Sequence, residues 1–379
     1  NCSQLIGGIA TITVNPLPAA IITQDAIVCQ EDQNPIVTIT GSLGTSSYAF
    51  TYNLNGGPDQ LINSDAATNT ATIVVPTTTA DNYFYQLKQV MDIATGCLVN
   101  YGPAGASVTI IVNPKPTGTI VGSTTVCQND NEPTITFNGT NSSANYTFTY
   151  ILNGGTTQTI SSAIGSNQST ITVPTSIAGT YNYQLVNVSD PITGCNTTMD
   201  ETVSILVNPL PAATIYGTTI LCQNEANPTI EFVGIYGTSE YQFTYTINGG
   251  PYLTITTVNS NSAFITIPTV IDSVYVFELI SVMDVATGCS QAQSGQATII
   301  INPVPTATIT GTIDVCKDSP EPVVTFTGMN SSTNYVFSYQ KNGGPTQTIN
   351  SVLGTNQATL LQSTNVTGLY EYQLIGVSD

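Results

Sequence analysis

Tyr146-Thr147-Phe148-Thr149-Tyr150-Ile151-Leu152-Asn153-Gly154-Gly155 decides the fold class. Tyr-x-Phe-x-Tyr places three rings on one face at a period of two, the periodicity of a half-buried strand. The Asn-Gly-Gly that follows supplies positive φ at little steric cost, as a tight hairpin turn demands. The same phrase recurs as Tyr48-x-Phe50-x-Tyr52 with Asn55-Gly56-Gly57, as Tyr241-x-Phe243-x-Tyr245 with Asn248-Gly249-Gly250, and as Tyr335-x-Phe337-x-Tyr339 with Asn342-Gly343-Gly344. One hairpin written four times means one module written four times.

Outward from the hairpin, the other landmarks repeat in order. Asn-Pro-x-Pro stands at Asn15-Pro16, Asn113-Pro114, Asn208-Pro209 and Asn302-Pro303, with steps of 98, 95 and 94 residues between first prolines. Each step is one small domain. An early Cys (29, 127, 222, 316) precedes the aromatic run, and Thr-Gly-Cys closes three copies at Cys97, Cys195 and Cys289. Runs such as Ala71-Thr72-Ile73-Val74-Val75 are β-branched, and no stretch holds a 3.6-residue period with caps. About seven short strands per ~95 residues predict an all-β fold: tandem immunoglobulin-like antiparallel sandwiches, set in an extended rod by stiff prolines. Strands of ~30 Å give four modules a span of very roughly 140–160 Å. The expected divisions are 1–15 (the final strand of a preceding or neighbouring module), 16–113, 114–208, 209–302, and 303–379, which lacks its final strand.

Composition narrows the chemistry. The 379 residues contain 23 acids, four Lys and no Arg, for a net charge of −19, with no His and no Trp. A chain with so few cations has little to neutralise phosphates, so neither nucleic acid nor an anionic membrane surface is an expected partner. Without imidazole there is no Ser-His-Asp or Cys-His device and no His-ligated metal. Paired-carboxylate hydrolysis would need two inward acids in a cleft, and no module stands out. The expectation is a non-enzyme. No apolar run approaches 18 residues, so no membrane insertion is expected. The start at Asn1-Cys2-Ser3 reads as a mature or excised piece of something longer.

Eight cysteines in such a chain suggest disulfides and an oxidising compartment. Sequence leaves the connectivity open, but each complete module holds one early and one late cysteine. The expected pairs are Cys29 with Cys97, Cys127 with Cys195, and Cys222 with Cys289. Cys2 and Cys316 remain over. Residues 1–15 match a module's last strand, as in Asn1-Cys2-Ser3-Gln4 against Gly288-Cys289-Ser290-Gln291. Either the array was cut between strands, or 1–15 completes the fourth module of a neighbouring copy, pairing Cys2 with Cys316 between molecules.

These modules resemble the Ig-like or PKD-like tandem repeats of large secreted surface proteins of Bacteroidota, on the pattern Asn-Pro-x-Pro, Thr-Val-Cys-Gln-Asn, Tyr-x-Phe-x-Tyr-x-x-Asn-Gly-Gly and Thr-Gly-Cys. The resemblance implies type IX export, a place outside the cell on the bacterial surface, and work as an adhesin, gliding-associated filament or stalk. Its implied partners are copies of the chain or further repeats of it, with surface glycans or proteins as targets in the alternative, adhesive reading.

Acids near the cysteines, among them Asp32, Asp130, Asp92, Asp190 and Asp284, are read as solvated loops and Asx turns, with Ca²⁺ as the alternative. No other cofactor is expected. The aromatic stripes are read as core, with sugar stacking as the alternative. Asp272-Ser273-Val274 resembles the short O-glycosylation site of the same group, which makes Ser273 a candidate.

Overall fold

The computed structural model describes residues 2–142, 145–331 and 334–379. They fall into two compact units, Asn1–Val207 and Asn208–Asp379. Each unit holds two antiparallel sandwiches.

In the first unit, β1 (Ala19–Thr23), β3 (Ile36–Ser42) and β6 (Thr70–Val74) form one sheet. β2 (Ala26–Cys29), β9 (Ser107–Asn113), β7 (Asp81–Asp92), β4 (Tyr48–Leu54) and β5 (Gln60–Asn63) form the other, with β8 (Leu98–Asn100) paired to β7. The second sandwich repeats this plan. β10 (Thr117–Val121), β12 (Thr134–Thr140) and β15 (Gln168–Thr172) face β11 (Thr124–Cys127), β17 (Asn196–Asn208), β16 (Gly179–Ser189), β13 (Thr147–Leu152) and β14 (Thr157–Ser161). The first strand of each sandwich is split: its first half runs antiparallel in the small sheet, and its second half runs parallel to the last strand. This is the immunoglobulin-like arrangement. The crossing needs a left-handed residue, Gln24 at φ 99° and then Gly122 at φ 129°. A Cβ at Gly122 would stand 2.5 Å from the carbonyl oxygen of Thr134.

In the second unit, β18 (Ala212–Tyr216), β20 (Thr229–Ile235) and β23 (Ser262–Thr266) face β19 (Thr219–Cys222), β25 (Ser290–Asn302), β24 (Ser273–Asp284), β21 (Tyr241–Ile247) and β22 (Leu253–Thr256). The last sandwich is smaller. Its first sheet, β26 (Thr306–Thr310), β27 (Val323–Met329) and β30 (Gln357–Leu361), is complete, but its second holds only β29 (Gln347–Asn350), β28 (Val336–Lys341) and β31 (Tyr372–Ser378). Ile313–Cys316, which would be the parallel half-strand, forms no ladder.

The aromatic runs are core. Phe50, Phe148, Phe243 and Phe337 are all fully buried. Phe148 packs on Phe137 across the sandwich with ring centroids 5.5 Å apart, within the range of favourable aromatic pairs. With these rings inside, the sugar-stacking alternative loses its platform. Among the described residues, no helix is long and apolar enough to cross a membrane.

Candidate functional site

The chemistry of this chain collects at the poles of the sandwiches. In the first, β2 runs parallel to β9 with Cys29 opposite Asn113, so Cys29 lies where the chain leaves the sandwich. β7 runs back along β9 with Asp81 opposite Val112. Its far end, Asp92, and the turn to Cys97 therefore lie where the chain enters. The twelve residues of β7 separate those poles by about 36 Å at ~3.3 Å per residue. A disulfide requires Cα atoms closer than ~7 Å, so the two cysteines of one sandwich cannot meet.

Cys29 is bonded to Cys195 of the next sandwich, 166 residues away, with a Cα–Cα distance of 5.6 Å. The expected pairing within each module is overturned. Cys97 and Cys222 are free, as are Cys2 and Cys316, while Cys127 and Cys289 are disulfide-bonded. The staple joins one sandwich to its successor and does not close a sandwich on itself. Each sandwich is closed by its aromatic core.

Both halves of the staple are shaped locally. On the early half, the Cys29 N–H donates to Asp32 Oδ2 at 3.0 Å, Cys127 to Asp130 Oδ2 at 2.9 Å, and Cys222 to Glu225 Oε2 at 3.3 Å. On the late half, an Asp-x-x-Thr-Gly-Cys turn holds the sulfur. Asp190 N–H donates to Cys195 O and Gly194 N–H donates back to Asp190 O, both at 2.8 Å. The Asp190 carboxylate accepts from Ile192 N–H at 2.8 Å and from the Ser142 hydroxyl. Asp92 is served likewise by Thr45 N–H at 2.7 Å, Thr45 Oγ1, Ala94 N–H and Thr95 N–H. Asp284 is served by Thr238, Ala286 and Thr287.

These donors favour the charged carboxylate. The Thr45 N–H, outweighing burial, holds Asp92 down to about 2. Burial opposes the shift at Asp190 and Asp284, but hydrogen bonds from Ser142 and Thr238, with backbone N–H groups, keep both below the usual carboxylate range. The three aspartates are thus the pins of the late turn. As for the calcium alternative, Asp32 and Asp130 accept from cysteine N–H groups, and within any one sandwich the early and late acids occupy opposite poles. Among the described residues, no three Cys, Asp or Glu side chains cluster as a metal site would require.

Ser273 opens β24 opposite Ile301, half-buried. At the junction of the first two sandwiches, Lys115 Nζ stands 3.9 Å from both Glu31 Oε2 and Asp32 Oδ1, a surface contact contributing ~1 kcal/mol at most.

No protein-family model matches the chain, and no curated protein matches it. Among solved structures, it is similar to a 1.5-MDa bacterial ice-binding adhesin, at 15% identity and a TM-score of 0.34, over 77% of this chain and 100% of that one. It is also similar to invasin, a bacterial integrin-binding protein, at 14% identity and a TM-score of 0.33, over 94% and 78%. Likenesses at this level do not bear on function; the strand order itself carries the fold.

One structural element escaped the sequence reading. Gly41, Gly139, Gly234 and Gly328 each sit under the Tyr that begins the aromatic run. The signal was present as a Gly seven residues before that Tyr in all four copies.

Proposed function

We propose that this chain is a non-catalytic structural segment of a secreted bacterial surface fibre, stalk or adhesin, and that copies of it join end to end by strand donation. The observation that carries the proposal is the unfinished sandwich. The sheet β29-β28-β31 has three strands where its counterparts have at least five, so β31 offers an open edge of unpaired backbone groups. The matching strand is free at the other end of the chain. Residues 2–14 form no strand and are exposed, Ile9 at 98% and Ile12 at 87%. An exposed apolar segment and an open sheet edge are the two partners that strand addition joins. The patch used differs from the patch it meets, so the assembly is heterologous and open. The covalent staple between sandwiches supports a load-bearing role and an oxidising, extracellular location.

Size-exclusion chromatography and negative-stain imaging of the full chain test the reading, against a variant lacking residues 2–15. The full chain is expected to form linear oligomers and the truncated chain to stay monomeric. Oligomers of equal length from both would overturn strand donation.

A further inference from the structure

The four thiols left free form two pairs once the pole rule of the observed staple is applied to a second copy. Resting on the strand-donation reading, we propose that each end-to-end junction is sealed by two disulfides. One joins Cys2 of the incoming copy to Cys222, and the other joins Cys97 of the incoming copy to Cys316.

The register follows from the third sandwich, whose final strand is the template. Residues 3–15, SQLIGGIATITVN, align without a gap on β25, SQAQSGQATIIIN. The buried Ala297, Ile299 and Ile301 of β25 correspond to Ala10, Ile12 and Val14. In β24–β25 pairing, Phe277 lies opposite Ala297 and Leu279 opposite Gly295. The incoming Ala10 accordingly lies opposite Tyr372 and Gly8 opposite Leu374. Tyr372 and Leu374 are only partly buried at present, against 0% and 2% exposure for Phe277 and Leu279. The parallel half-strand then forms as well. Cys222 stands opposite Asn302, so Cys316 stands opposite the incoming Asn15.

This register separates Cys2 from Cys316. They lie at opposite poles of the completed sandwich, thirteen residues apart along one extended strand, which is about 43 Å at ~3.3 Å per residue. The intermolecular Cys2–Cys316 bond, one of the two alternatives the sequence offered, does not fit this register. Cys2 instead enters the pole where the chain passes from the third sandwich to the fourth, beside Cys222. A cavity of ≈ 880 Å³ lies there, lined by Gln223, Pro303, Asn330, Ser331 and Asp379 among others. Its counterpart in the first unit is the place of the late turn. Ser331 already donates to Asp379, as Ser142 does to Asp190, so the docking side of the turn is preformed. At the other pole, Cys316 meets the sandwich that follows the donated strand. The late cysteine of that sandwich is Cys97, in the relation of Cys29 to Cys195.

Each bond forms by exchange with an oxidising disulfide. The two cysteine thiols lose two protons and two electrons, and the oxidant's S–S bond is reduced to two thiols.

The test uses the full chain, reoxidised with glutathione disulfide and mapped as peptides without reduction. The expected result is a gel ladder that reductant collapses, with linked peptides Cys2–Cys222 and Cys97–Cys316. In Cys222→Ser the ladder persists through the second bond. In Cys222→Ser with Cys316→Ser it disappears, while fibres remain visible by negative stain. Linear fibres whose four thiols stay free, a Cys2–Cys316 peptide, or loss of the ladder in Cys222→Ser alone would overturn the pairing and leave strand donation standing. Absence of both fibres and ladder overturns strand donation, and the pairing falls with it.

Discussion

The ring of Tyr48, at the start of β4, lies on the bare α-carbon of Gly41 on β3 of the facing sheet of the first sandwich. A Cβ built at Gly41 would come within 2.4 Å of the ring. The same contact recurs between Gly139 and Tyr146, Gly234 and Tyr241, and Gly328 and Tyr335. From that position the Tyr48 hydroxyl accepts the Gly44 N–H at 3.0 Å, which fixes the loop carrying Thr45 to Asp92. The glycine therefore acts on the pole through the tyrosine.

Gly41→Ala is expected to displace the ring and destabilise the first sandwich by about 1–3 kcal/mol, the usual cost of overpacking a filled core. Calorimetry of the full chain would show one transition lowered. An unchanged melting profile would mean that the ring moves aside freely.

Asp92 makes stability dependent on acid. Its carboxyl is held at about 2 when folded, below the ~3.9 of an unfolded chain. The stabilisation is thus fully present above pH ~4 and is lost as pH falls through the folded value. Comparing Asp92→Asn with the parent chain between pH 2 and 5 isolates this contribution from the general loss of negative charge. The parent should lose more stability than the variant over that interval, and parallel curves would refute the role of the carboxylate.

The Cys29–Cys195 bond takes the intervening chain out of the load path. Pulled from its termini, the oxidised protein cannot extend between these residues, 166 apart in sequence. In a chain that also carries Cys127→Ser and Cys289→Ser, where the Cys29–Cys195 bond alone bridges the chain, reduction should release roughly 580 Å of additional contour at ~3.5 Å per residue. Single-molecule force spectroscopy with and without reductant measures it. Adding Cys195→Ser to that chain should show the released length without reductant, and equal contour lengths in all states would contradict the staple.

Chelation is expected to change nothing. The carboxylate oxygens of Asp92, Asp190 and Asp284 are occupied by N–H and O–H donors, and a cation would have to displace them. Melting temperatures with EDTA and with added Ca²⁺ should agree. A rise with Ca²⁺ would show that a site assembles by rearrangement.

Much of this molecule is legible locally. The alternating rings, the Asn-Gly-Gly turns and the four-fold recurrence are short-range patterns. They determine strands, hairpins and the repeat, because a period of two can bury only one face and a tight turn admits few residues. The same recurrence identifies residues 3–15 as a final strand without reference to any contact. What only the tertiary structure decided is which sulfur meets which. Early and late cysteines recur at a near-constant separation in sequence, and that regularity suggests they are partners. The strand between them spans the full length of the sandwich, so they are carried to opposite poles, and each reaches only the neighbour's pole. Separation along the chain does not report direction in space. Direction was set by the antiparallel run of β7 against β9, a long-range pairing that no local pattern contains.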